Sequence, residues 1–166
     1  MIQRLKDILF GEAARGDSPE ASFDETAFAA AALMAEAARL DGHFDRNERE
    51  SVLALLRDRF ELDEASAEAL LAAADARIDR SPQILPFTRT IKDRLGEAER
   101  IELVEMLWEV IYADGRAHDY EAGLMRRIGG LIYVQDVDMG AARKRALARL
   151  GLAGDDAPQR SGGPEA

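Results

Sequence analysis

The strongest constraint on the fold of this 166-residue chain is that it repeats itself. Residues 36–63 lie over residues 109–136 at a constant offset of 73 with no gap, matching Glu36 with Glu109, Asp41 with Asp114, Gly42 with Gly115, Glu48 with Glu121 and Asp63 with Asp136. Apolar and aromatic positions keep the same register: Leu33 with Met106, Val52 with Met125, Leu55 with Ile128, and Phe60 with Tyr133. A register carried jointly by charged and core positions marks a duplicated supersecondary unit that buries its apolar face by stacking on its copy. The unit reads as three helices.

Helical periodicity fills in the elements. Residues 1–22 read as a short amphipathic helix over 1–10, with Ile2, Leu5, Ile8 and Leu9 at helical spacing, followed by a loop from Gly11 to Ala21 that contains Gly16, Asp17, Ser18 and Pro19. Ser22-Phe23-Asp24-Glu25 offers a capping box for a strongly apolar helix running to Leu40, expected at the centre of the fold. Asp41-Gly42 stops it, and a second helix follows from Arg46 to Phe60. Asp63 caps a third, and Ser81-Pro82 provides the N-cap and first-position proline of a linker helix over residues 82–95. The second unit then gives helices over residues 97–113, 120–133 and 138–150, and a tail from 152 to 166 has nothing to bury. The expectation is one all-α domain over residues 23–151, a bundle of seven or eight helices with units over about 23–78 and 97–150.

Composition agrees and excludes several chemistries. Apolar residues make up 47% of the chain but aromatic ones only 6%, which suits helices better than sheets. No cysteine is present, which removes disulfides, thiolate zinc sites and thiol nucleophiles together. The net charge of −10 repels phosphate backbones, so nucleic acid is not an expected partner. The basic residues at 143–145 and 149 sit near a helix C-terminus, where cations favour the helix dipole. With neither a signal sequence nor a long apolar run, a cytoplasmic location without a transmembrane segment is expected, and membrane-surface association stays open.

Candidate chemistry lies in the repeat itself. Each unit reads Glu-x4-Asp-Gly-x5-Glu, so Glu36, Asp41 and Glu48 converge at one helix corner and Glu109, Asp114 and Glu121 at the other. A glutamate in the last turn opposes the helix dipole and invites a cation or a basic partner. Carboxylate oxygens suit magnesium, calcium or manganese rather than softer metals. The spacing is not that of an EF-hand, because Gly42 directly follows Asp41 and Glu48 comes seven positions after it. A plainer reading stands beside this one: Asp45-x-x-Glu48 is a capping box and Asp-Gly an ordinary turn.

The segments Ala38 to Glu48 and Ile111 to Glu121, each with its Asp-Gly turn, resemble the signature of the tellurite-resistance TerB family of bacterial proteins. They are also similar to the N-terminal domain of DjlA-type co-chaperones, and the similarity covers residues 23 to 150. The resemblance implies a compact helical bundle, a non-catalytic role in stress response, and metal binding through Glu36, Asp41, Glu48, Glu109, Asp114 and Glu121. The chain departs from symmetry at His118, where the first unit has Asp45, and it carries no J-domain.

No phosphate loop, nucleophile elbow or His-Glu-x-x-His motif is present, and His43 and His118 stand apart from any nucleophile, so an enzyme is not expected. Two function classes remain: a cation-binding stress module, and an interaction scaffold whose acidic face recruits a basic or membrane-associated protein. Trp108 and Tyr112, four residues apart on the helix entering the second corner, read as core, with a partner groove as the alternative.

Overall fold

The computed structural model describes residues 23–40, 44–114 and 119–152, the side chains at 114 and 119 excepted. The expected helix and loop of residues 1–22, the tail from 153 onward, and the turn residues Asp41, Gly42, His43 and His118 lie outside them.

Seven α-helices make up the described residues, with no strand among them. We number them α1 (Glu25–Arg39), α2 (Arg46–Phe60), α3 (Glu64–Arg80), α4 (Leu85–Arg94), α5 (Glu97–Ile111), α6 (Asp119–Leu131) and α7 (Asp136–Arg149), with a 3-10 turn at Tyr112–Asp114 after α5. The all-helical bundle expected from the sequence is the one observed.

Helix α1 is the axis of the fold. It packs against α2, α3, α4 and α5, and the unbroken buried run from Thr26 to Ala35 covers every side of it, as a run almost free of polar side chains must. Ala29, Ala31, Ala32, Ala35 and Ala37 are almost wholly inaccessible, and their small side chains let four neighbouring helices approach one backbone. Its N-cap is Asp24, whose Oδ2 accepts from the amides of Thr26 and Ala27 at 3.0 Å. The cap expected at Ser22 is therefore two positions further along, because a carboxylate at 24 serves both amides by itself. In the second half, α5 takes the equivalent place and packs against α7, α1, α2 and α6.

Two local expectations are corrected. Ser81-Pro82 does not start a helix. Ser81 closes α3 by donating its amide to the Arg77 carbonyl, and α4 begins at Leu85 with Pro86 in its first turn, where a missing N–H costs nothing. The ungapped repeat also breaks at the end of α6. The left-handed residue after α2 is Glu61 (φ 49°) and after α6 is Tyr133 (φ 58°), while the N-caps of α3 and α7 are Asp63 and Gln135. Both pairs are offset by 72, so the second unit is one residue shorter at this bend.

Burial follows the new register: Phe60 is matched by the buried Ile132, Leu70 by Ala142 and Ala74 by Ala146. Tyr133, paired with Phe60 in the ungapped alignment, is instead 69% exposed, and Asp136 lies inside α7 rather than capping it. The last helix accordingly runs from Asp136 rather than 138, and Leu152, placed at the start of the tail, packs against the core.

Candidate functional site: two unequal helix corners

At the first corner, Glu36 lies in the last turn of α1 and is half-buried. Burial pushes its carboxyl above the ordinary value of 4.5, against the pull of Arg39 and Arg127. Arg39 does not form an ion pair with it. Its guanidinium reaches across to α3, with Nε 2.7 Å from Asp75 and Nη1 2.9 Å from Asp79. Across the turn, Asp45 and Glu48 form a complete capping box. The Glu48 amide donates to Asp45 Oδ1 at 2.9 Å, and the Asp45 amide donates to Glu48 Oε2 at 3.0 Å. Glu48 is only 5% exposed, so this corner holds a buried carboxylate with one oxygen committed to the backbone.

The second corner is built differently. Glu109, the counterpart of Glu36, is 6% exposed and enclosed by arginines. Its Oε1 accepts from Arg59 Nη2 at 3.0 Å and from Arg149 Nη1 in a closer contact. One turn earlier, the buried Glu105 accepts from Arg145 Nε at 2.8 Å, while its Oε1 lies 2.6 Å from Arg149 but off the hydrogen-bond direction. Glu102 completes the row at 3.6 Å from Arg59. Burial raises the Glu102 carboxyl, with Arg59 opposing. The network ties α7 to α5 and α5 to α2. In the first unit the places of Glu102 and Glu105 are taken by Ala29 and Ala32, both buried in the core.

Their position near a helix C-terminus suits the helix dipole, but Arg145 and Arg149 also have specific partners. The structure turns both onto α5, a partnership signalled by matched spacing of four between Glu105 and Glu109 and between Arg145 and Arg149. Glu121, the third acidic residue of this corner, is buried on α6. Among the described residues, no three of His, Cys, Asp and Glu are grouped to hold a metal. Asp41 and the Asp114 side chain, which would complete the two sets, fall outside those residues.

Trp108 and Tyr112 are each 6% exposed and stack at 5.8 Å between ring centroids, as core residues of α5 and the following turn. Their outer faces nonetheless border a cleft, and Arg143 lies over both rings.

These features define a class: a small all-helical module made of a duplicated helix-corner unit, with buried carboxylates at both corners. The sequence matches the family described as "Tellurite resistance protein TerB" over residues 27–144, and the chain belongs to that family. No curated protein and no solved structure matches it. No helix among the described residues is long and apolar enough to cross a membrane.

Proposed function

We propose that this protein is a non-catalytic, cytoplasmic stress-response module of TerB type, related to tellurite resistance, in which the first corner takes a divalent cation through Glu36, Asp41 and Glu48. The second corner uses Glu109 for architecture. The observation behind this division is the arginine enclosure of Glu109, set against a Glu36 whose carboxyl is held up by burial and has no ion pair among the described residues. A carboxylate already neutralised by two guanidiniums gains little from a metal ion, whereas one destabilised in its charged form gains most. Magnesium, calcium and manganese are the ions that oxygen ligands favour.

Thermal unfolding of chelator-stripped protein, titrated with each ion, tests this. A cation that binds only the folded state raises the midpoint, by about 2.7 kcal/mol of stabilisation at a hundredfold excess over its dissociation constant. Asp41→Asn is expected to abolish the rise and Asp114→Asn to leave it. A rise lost only in Asp114→Asn would reverse the assignment. No rise with any ion would leave the acidic corner as a contact for a basic or membrane-associated protein partner, in the manner of a co-chaperone module.

A further inference from the structure

The duplication gives the two central helices matching neighbours. Helix α1 packs on α3 as α5 packs on α7, and on α2 as α5 packs on α6. The packing of α1 on α4 is the contact that has no counterpart on α5 among the described residues. Two side chains of α1 carry it. The Phe28 ring lies 6.0 Å from that of Phe87, and Glu25 lies 2.5 Å from Arg94. From α3, Arg77 lies over the same Phe87 ring.

Carried through the repeat, these positions meet in one place. Glu25 and Phe28 correspond to Ala98 and Ile101 at the offset of 73, and Arg77 corresponds to Arg149 at the offset of 72 that holds after the bend. Ala98, Ile101 and Arg149 border a single groove along α5. Phe28, beneath α4, is buried, whereas Ala98 and Ile101 are only half-buried. The groove is the second unit's copy of the seat that α4 fills in the first.

Helix α4 precedes the second unit in the chain and packs on the central helix of the first. The segment that precedes the first unit is residues 1–10, with Ile2, Leu5, Ile8 and Leu9 at helical spacing. We propose that residues 1–10 form a helix seated in this groove, the counterpart of α4, with its apolar stripe on Ala98 and Ile101 and with Arg149 closing the far side as Arg77 does over Phe87. A helix this short is marginal in water by itself, so the packed face sustains it. The tether reaches. Glu25 opens α1 beside Arg94, three residues before α5 begins, and residues 11–24 span up to about 45 Å against about 22 Å for the whole of α5. The chain beyond Leu152 does not suit the seat, because its apolar side chains are alanines and prolines.

The chain has no cysteine, so a full-length Gln3→Cys protein carries a nitroxide at a single site, on the polar side of the segment. Loss of amide signal is expected to be strongest over Ala98 to Glu105 and unchanged on dilution. In the unlabelled chain, the amides of Lys6 to Phe10 should exchange at least about tenfold more slowly than in the free peptide of residues 1–10. Ile101→Arg abolishes that protection while α1 and α3 keep theirs, and Leu85→Arg, at an exposed position on α4, leaves it in place. Peptide-like exchange at Lys6 to Phe10 overturns the proposal, as does protection that survives in a folded Ile101→Arg protein. Signal loss centred away from Ala98 to Glu105 removes the segment from the groove, and signal loss that fades on dilution makes the occupant a second copy of the chain. Either result also overturns it.

Discussion

Glu36 and Glu109 occupy the same place in the repeat and experience opposite environments. Because burial holds Glu36 above 4.5, the folded chain binds that proton more tightly than the unfolded chain does. The group therefore weakens the fold as the pH rises through 4.5 and above. Glu36→Gln in metal-free buffer is expected to raise the melting temperature at pH 7, with the gain vanishing below about pH 4, where both states carry the proton. Glu109→Gln has the reverse sign at pH 7. It leaves Arg59 and Arg149 facing a neutral amide in a largely buried setting, and a loss of about 1–3 kcal/mol is expected by chemical denaturation. Two glutamines of like effect would show that the two corners are electrostatically alike.

The helices were legible in the sequence wherever a carboxylate or a glycine punctuates an apolar stripe. Helix α2 has the bounds its pattern gives, and Asp63 caps α3 through the Ser66 amide at 2.7 Å. What escaped was geometry with no marker of its own. A deletion of one residue at the bend after α6 leaves the charged matches at Glu109, Asp114 and Glu121 intact, yet it moves Tyr133 out of the core and Ile132 into it. Spacing alone puts Glu36 and Glu109 in the last turns of α1 and α5, but whether arginines enclose them depends on which helix packs opposite, and a single sequence does not say.

At the scale of this packing, the alanines of α1 are closed off by four neighbouring helices. Ala32→Leu is expected to cost about 1–3 kcal/mol despite adding apolar surface, because overpacking a filled core forces its neighbours apart. The same change at the exposed Ala65 on α3 should fall within about 0.5 kcal/mol, measured in the same denaturant series.

Seen whole, the molecule is two units that share an ancestor and have divided the labour of holding together. The first is joined by alanine-lined contact around α1, and the second by the charged row between α5 and α7. Arg149→Met, which keeps the stem and removes the charge, should therefore loosen α7 first. Faster amide exchange is expected there than in α1 to α4, and the effect should be smaller when Glu109→Gln is already present, since the two residues share one interaction.

The central placement of α1 also bears on how the chain is made. Its partner α5 ends at Ile111, so during synthesis the most apolar of the described helices leaves the ribosome well before α5 does and waits for it. At about 5–20 residues per second that interval is several seconds, long enough for a bare apolar rod to meet another chain or a holding chaperone. A fold organised around an early, strongly apolar helix trades compactness in the finished molecule for exposure while it is being born.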